Sequence, residues 1–206
     1  MTTTKKTTAS TSRKKSTTTK KPAVKIAETI ENLPANPFIF EILNLATKQR
    51  TIAKKVEVLQ KYSHPALKSL FIWNFDETIV SALPPGDVPY SAVDEQDSFT
   101  GTLSEKIADA VNKMEELGTR SLGSQDQGRS SIRKEYQKFY NFIKGGNNGL
   151  SNLRRETMFI NILQGLHPLE AEIICLVKDK KLETKYKINK DVVSKAYPDI
   201  IWGGRS

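Results

Sequence analysis

Residues 36–59, with the sequence NPFIFEILNLATKQRTIAKKVEVL, decide the fold class of this chain. Their apolar side chains recur at alternating spacings of four and three residues, a period typical of an α-helix. The stripe consists of Phe38, Ile42, Leu45, Ile52, Val56 and Leu59, with the polar Gln49 in its middle. Asn36 is a favourable N-cap and Pro37 suits a first helical position. The pattern therefore predicts one helix over residues 37–61.

The same helical period continues along the chain and predicts an all-α fold. Thr102 and Glu105 have the spacing of a capping box, which opens one of the further helices. We predict these at 65–74, 103–117, 130–144, 152–165 and 168–181, with a short last helix after Asn189 and a weak one over 23–33. Residues 84–101 and 118–129 are predicted as flexible loops, and 186–188 as a short extended piece. The prediction is a single compact multi-helix domain over 22–202, followed by a short tail, 203–206.

The charge of the chain is concentrated at its N-terminus. The 206 residues carry 32 Lys+Arg against 23 Asp+Glu, a net charge of +9. Residues 1–25 contain no acid and hold eight of the basic residues: Lys5, Lys6, Arg13, Lys14, Lys15, Lys20, Lys21 and Lys25. Residues 1–21 are rich in Thr, Ser and Lys and have too few apolar side chains to form a core, so we predict a disordered tail.

Two functions suit this tail. It is either an electrostatic arm for DNA or RNA, bound without sequence specificity, or a solubilising extension. We favour the arm, because a tail without any acid is less common than a linker of mixed charge. A second basic patch, predicted at Lys180, Lys181, Lys185, Lys187 and Lys190, suits nucleic acid or a merely solvated surface equally well. No apolar run approaches the roughly 20 residues of a membrane span, so we expect no membrane partner.

The cysteine and the two histidines, which are the candidate catalytic and metal-binding residues, lack the patterns of known sites. We therefore expect a protein that is not an enzyme and that holds neither a metal nor another cofactor. Cys175 lies in the apolar run Ile-Ile-Cys-Leu-Val, where a thiol behaves as a small hydrophobic group with a raised pKa. His64 and His167 each precede a proline at a helix start, and we interpret both as structural junction residues. Two histidines without nearby cysteines do not form a zinc signature.

The glycine-rich loop at 145–149 precedes a helix whose first turns contain Arg154 and Arg155. A helix N-terminus with basic neighbours can bind phosphate. However, no strand precedes the loop and the Gly-Lys-Ser/Thr sequence of a P-loop is absent. An interhelical loop followed by an N-cap at Ser151 is the better interpretation.

Five segments resemble an uncharacterised family of large contractile-tailed phages, including those that infect marine cyanobacteria. They are FIWNFD at 71–76, LPPGDVPY at 83–90, RRETMFI at 154–160, GLHPLEAE at 165–172 and VKDKKL at 177–182. The resemblance covers roughly residues 36–202. It implies a phage protein made in the cytoplasm of an infected bacterium, and it carries no known activity or catalytic residue.

Composition and resemblance together predict a phage accessory protein. Its basic arm would bind nucleic acid, and its helical body would bind a protein of the phage or the host. The alternative is a structural or assembly component of the virion. At the C-terminus, Ile200 and Trp202 either pack near Ile173 and Val177 or form a docking peptide, and we favour packing because Trp is highly buried on average.

Overall fold

A computed structural model describes residues 1–2, 32–91, 100–102, 104–105, 107–109, 112 and 130–204 of the protein. The chain divides into two units, 1–30 and 31–206, and all helices and strands given below belong to the second. Two predicted segments, the tail over 1–21 and the loop over 118–129, lie outside the described residues, as does the helix over 23–33 except for its last two residues.

The described part of residues 31–206 is all-α, as predicted, with one small pair of strands. The helices are α1 (Ile39–Lys48), α2 (Ile52–Lys61), α3 (Pro65–Phe75), α4 (Ile132–Glu135), a 3-10 helix (Tyr136–Phe142), α5 (Asn152–Gly165), α6 (Pro168–Lys178), α7 (Leu182–Tyr186) and α8 (Lys190–Ala196). Residues 104–105, 107–109 and 112 are also helical. The predicted capping box is confirmed, since Thr102 N–H donates to the Glu105 carboxylate and Glu105 N–H to Thr102 Oγ1.

The single helix predicted over 37–61 is wrong: this stretch forms α1 and α2. Gln49 and Thr51 both have extended backbone between the two helices. The Thr51 hydroxyl accepts a hydrogen bond from Lys54 N–H at 3.3 Å and caps α2. A threonine N-cap therefore outcompetes helix continuation at the place where the apolar stripe is interrupted. The start was also misplaced, because Phe38 is extended and α1 begins at Ile39.

Three further predicted segments differ from the structure. The helix expected at 130–144 is the short α4 followed by a 3-10 helix, and residues predicted as extended at 186–188 include the end of α7. The loop predicted over 84–101 has paired backbone at its ends, because β1 (Pro89–Ser91) runs antiparallel to β2 (Thr100–Thr102). These elements are short, and too few residues remain in each to show a period that distinguishes one type of secondary structure from another.

Aromatic side chains join three of the elements at the centre of the core. Trp73 on α3 lies 5.5 Å from Phe139 and 6.3 Å from Phe142, both on the 3-10 helix, measured between ring centroids. Phe142 in turn meets Phe159 on α5 edge-on at 5.2 Å. Around this cluster, α3 packs against α6, α1 packs against α2, α6 and α7, and α2 packs against α8.

The C-terminal segment packs onto the helical body, as we favoured. Ile200 is buried, and the Trp202 indole N–H donates to Ser194 Oγ on α8 at 3.1 Å. Gly203 N–H donates to the buried Asp76 carboxylate at 3.1 Å. Trp202 is thus held by α8 and the end of α3, whereas the predicted neighbours Ile173 and Val177 lie on α6.

Candidate nucleic-acid interface

The basic surface of the described residues is built by the turns that follow α6 and α7. The chain leaves α6 through Lys180, whose φ is +56°, and leaves α7 through Lys187, whose φ is +49°. Glycine is the residue that favours this left-handed conformation at helix ends, so a lysine there is unusual. Asn189 then caps α8, because its Oδ1 accepts a hydrogen bond from Val192 N–H at 3.1 Å. All five predicted lysines are exposed, three in these turns and two, Lys185 and Lys190, on the short helices α7 and α8.

Lys180 and Lys190 both lie near the C-terminal segment. Lys180 Nζ donates to the Asp76 carbonyl at 2.7 Å, and Lys190 Nζ lies 5.0 Å from the centre of the Trp202 ring. Partial burial lowers the pKa of Lys180, and the charge of Lys190 lowers it further, against the opposing carboxylates of Asp76 and Glu77. Lys180 thus has both carboxylates and a second ammonium group in its surroundings, and the two carboxylates have the larger effect on its pKa.

Lys187 gains a basic neighbour that the sequence did not indicate. Lys55 on α2 donates its Nζ to the Lys187 carbonyl at 2.7 Å, across 132 positions of the chain. No local pattern could have predicted this pair, because it arises from the packing of α2 against the C-terminal helices.

The other two predicted lysines differ in their availability. Lys181 is exposed, and its ammonium has no ion-pair partner among the described residues. Lys185 pairs with the Glu172 carboxylate and lies 5.7 Å from the Tyr186 ring centre. The structure thus brings together Lys180 and Lys190 and adds Lys55 to Lys187, while Lys185 is partly neutralised. The arm residues Lys5, Lys6, Arg13, Lys14, Lys15, Lys20, Lys21 and Lys25 lie outside the described residues.

Comparison with known proteins identifies the family of this chain. Residues 42–117 and 119–184, more than half of the sequence, match the family of unknown function DUF6433. The chain belongs to DUF6433. The matched ranges include Lys55, Lys180 and Lys181, whereas the arm, Lys185, Lys187, Lys190 and Trp202 lie beyond them. No curated protein and no solved structure matches the chain.

The glycine-rich loop in this DUF6433 member is held by a buried arginine. Arg155 donates to the carbonyls of Asn141, Asn147 and Leu150 at 2.8, 2.9 and 3.1 Å, and to Asn152 Oδ1 at 3.0 Å. Four of the five N–H donors of its guanidinium are used inside the protein, and the side chain is buried, so it is poorly placed to bind an external phosphate. Ser151 caps α5 as predicted, because its hydroxyl accepts a hydrogen bond from Arg154 N–H.

Both histidines cap helices, which confirms their structural interpretation. His64 Nδ1 accepts the N–H of Ala66 at 3.1 Å, and His167 Nδ1 accepts that of Leu169 at 3.2 Å. Burial lowers the pKa of His64, and Arg133 lowers it further. The predicted behaviour of Cys175 is also confirmed, because burial raises the pKa of its thiol to about 12. A thiol with this pKa is a poor nucleophile near neutral pH.

Lys178 is a structural cation that sequence reasoning missed. Its buried Nζ donates to the carbonyls of Pro84 and Gly86 at 2.9 and 3.0 Å and to Asp179 Oδ1 at 2.6 Å. This set satisfies all three of its donors and anchors the turn at 84–86 to the end of α6.

A groove of about 700 Å³ lies beside α5, on the exposed face of that helix. Its apolar lining is Leu150, Leu153, Met158 and Ile162. Leu153 is 76% exposed. At the rim Lys138 pairs with Glu135 at 2.7 Å, whereas the Arg154 guanidinium has no ion-pair partner within the described ranges. The groove therefore offers an apolar surface with one unneutralised positive charge.

Among the residues that the structure describes, no group of three His, Cys, Asp or Glu side chains could hold a metal ion. No helix in the described parts of the chain is both long and apolar enough to cross a membrane.

Proposed function

We propose that the protein is a phage accessory factor, active in the infected bacterium, that binds nucleic acid without sequence specificity and joins it to a protein partner. The observation that carries the nucleic-acid part is the presence of two basic regions with different properties. One is the arm, which has eight positive charges and no acid. The other is the lysine surface of Lys55, Lys180, Lys181, Lys187 and Lys190, a set that we call the C-terminal basic surface.

The chemistry of that surface suits phosphate backbones rather than base edges. Lysine is a flexible point charge that neutralises phosphates, whereas base reading in the major groove relies on Arg, Asn and Gln. Lys180, Lys181, Lys187 and Lys190 are all exposed, so their ammonium groups are accessible to phosphates. These properties support binding driven by counterion release, which is independent of sequence.

Fluorescence anisotropy with a labelled duplex at several salt concentrations tests this function. Neutralisation of eight phosphates by the arm would give a slope of up to about −7 for log affinity against log salt. Deletion of residues 1–25 should reduce both the affinity and the slope. The double variant Lys181→Gln/Lys187→Gln should weaken binding further, whereas Lys134→Gln/Lys144→Gln, at exposed lysines of the 130–144 region, should not. Unchanged affinity after deletion of the arm would contradict the proposal.

The groove beside α5 supports the protein-partner part of the proposal. Its apolar lining and the unneutralised Arg154 suit an amphipathic segment that carries a carboxylate, because such a segment covers Leu153 and pairs with the guanidinium. A photo-crosslinking residue at position 153 in infected cells tests this. Arg154→Glu should abolish the crosslink and Arg154→Lys should retain it. A crosslink that is insensitive to the charge at position 154, or one formed within the chain itself, would overturn the assignment.

A further inference from the structure

Trp202 occupies an unusual position, because its ring is fixed while part of it stays at the surface. The indole N–H is bound to Ser194 Oγ at 3.1 Å, and the next residue, Gly203, is anchored by its N–H to Asp76 Oδ2 at 3.1 Å. The other tryptophan, Trp73, is only 1% exposed and belongs to the aromatic core. Trp202 is partly exposed, so it offers solvent an aromatic surface that is held in place at two points.

The backbone next to Trp202 borders open space at Gly203. Gly203 has a φ of +77°, and no atom lies within 4 Å of the position that a Cβ would take there. The Lys190 ammonium lies over the ring face, 5.0 Å from the ring centre. A lysine over a tryptophan face is attracted by the ring quadrupole, but a contact at the surface is weak, roughly 0.5–1 kcal/mol. A flat ligand can therefore displace it at little cost.

The surrounding charges favour an anionic ligand. Lys180 and Lys190 are both exposed. Lys180 Nζ donates to the Asp76 carbonyl, and Gly203, the residue after Trp202, donates to the carboxylate of the same Asp76, so Lys180 also lies near the segment that carries the Trp202 ring. Two carboxylates, those of Asp76 and Glu77, also act on Lys180. The Asp76 carboxylate is buried and accepts hydrogen bonds from Thr78 and Gly203, so it is held inside the protein and away from a ligand on the ring. A fixed aromatic ring bordered by two lysines is the arrangement by which proteins hold an unpaired base and its flanking phosphates.

We propose that Trp202 is a stacking platform for one base of single-stranded nucleic acid, with Lys180 and Lys190 binding the adjacent phosphates. The inference rests on the proposed nucleic-acid function and makes it more specific. In a duplex both faces of each base are covered by its neighbours, so only an unpaired base can stack on the ring. The C-terminal basic surface would then prefer single strands, whereas the arm binds single strands and duplexes alike.

Anisotropy titrations of the full chain with oligothymidylate, oligouridylate and a duplex of equal length test the preference. Trp202→Ala should lower the affinity for single strands by about 5-fold or more, the effect expected for one stacked base, and leave the affinity for the duplex unchanged. Trp202→Phe should restore most of the loss, because a phenyl ring also stacks. The two single-stranded probes distinguish DNA from RNA as the source of the base. An equal loss for single strands and duplex would overturn the inference.

A second measurement does not depend on removing Trp202. In the Trp73→Phe variant Trp202 is the only tryptophan, so oligothymidylate should quench its emission and the duplex should not. Melting temperatures of all variants establish that they are folded. If the native chain binds neither the single strands nor the duplex, the proposed function fails. If it binds both but shows neither the preference of the ring for single strands nor the quenching of Trp202 emission, only the stacking inference fails.

Discussion

Glu170 and Ile39 lie 131 positions apart, yet the Glu170 carboxylate accepts the Ile39 backbone N–H at 3.1 Å. Its second oxygen accepts the N–H of Ile132 at 2.9 Å. These are the first residues of α1 and α4, so one buried side chain on α6 caps the beginnings of two other helices. Glu170 is completely buried, and each of its hydrogen bonds satisfies a donor that would otherwise lack a partner.

We expect Glu170→Gln to destabilise the protein by roughly 1–3 kcal/mol, the cost of leaving a buried donor unsatisfied. The amide oxygen can replace one carboxylate oxygen, but the NH₂ group would face the other backbone N–H. Urea denaturation measures the loss. Glu172→Gln is the matched control on the same helix, where only a partly exposed ion pair is removed and the loss should be about 1 kcal/mol or less. Equal losses would contradict the double-cap interpretation.

The stability contribution of Glu170 should depend on pH. Burial raises its pKa from 4.5 to about 7, against the opposing effects of the two N–H donors and Arg133. The folded state thus binds the proton more tightly than the unfolded state, so this stability is complete below pH 4.5 and is lost as the pH rises to about 7. The loss caused by Glu170→Gln should be larger at the acidic end by roughly 3 kcal/mol. Urea denaturation of the native chain and of Glu170→Gln, each at pH 4.5 and at about pH 7, measures this. A difference in stability between the two proteins that does not change with pH would contradict the prediction.

Arg155→Lys should destabilise the protein by about 1–3 kcal/mol, because a lysine cannot reproduce the planar set of four hydrogen bonds. The neighbouring Arg154 provides the control. Arg154 is exposed, so Arg154→Lys should change the free energy of unfolding by less than about 0.5 kcal/mol. Thermal and urea denaturation of the two variants measure the difference. Similar values for both would show that the loop at 145–149 does not depend on the buried guanidinium.

Gly146→Ala should cost roughly 1–3 kcal/mol, since an added Cβ would lie 1.9 Å from the Tyr140 carbonyl oxygen and the backbone would have to move. Gly149→Ala is the same change three residues later, where the added Cβ would lie 3.6 Å from its nearest atom, Asn147 Oδ1. That variant should be neutral or slightly stabilising. Denaturation curves give the free energy of unfolding of the two alanine variants. A Gly146→Ala variant as stable as the native chain would show that the close approach of residue 146 to the Tyr140 carbonyl is not required.

Truncation after Asp199 should lower the melting temperature, because it removes the buried Ile200 and the contacts of Trp202 and Gly203. A loss of about 2 kcal/mol corresponds to a decrease of roughly 4–8 °C for a chain of this size. Ile200→Ala and Ile201→Ala form a matched pair for calorimetry. Ile200 is 8% exposed and Ile201 is 73% exposed, so only the first should be clearly destabilising. An unchanged melting temperature after truncation would mean that the segment contributes nothing to the fold.

The sequence predicted the helices that are long and capped by a strong local signal. Residues 152–165 were predicted with the observed bounds, because Ser151 caps the helix and glycine ends it. The predicted 37–61 helix failed at Thr51, where a threonine can either continue a helix or cap a new one, and tertiary packing decides between the two. Periodicity also could not distinguish α-helix from 3-10 helix over Tyr136–Phe142, since both present an apolar face.

The candidate interface was predicted only where it is local. The lysines between residues 180 and 190 are close in sequence, and their exposure follows from the short helices that carry them. Trp202 contacts Ser194 and Lys190 across only 8 and 12 positions, but only because the chain turns back along α8 after Pro198. The contact of Lys55 with Lys187 depends on how distant segments pack. The same holds for Glu170, which in the sequence is one acidic residue among several and becomes a double cap only when α1, α4 and α6 meet.

The hydroxyl of Tyr197 donates to the Leu59 carbonyl at 2.6 Å, and α8 packs along α2. During synthesis α2 leaves the ribosome long before α8 exists, so one face of α2 lacks its native cover until nearly the whole described chain has been translated. Contacts between such distant segments also slow folding, because a large loop must close before they form. The nascent chain therefore has an interval in which α1 and α2 expose apolar surface, and a ribosome stalled before α8 would display a species prone to aggregate.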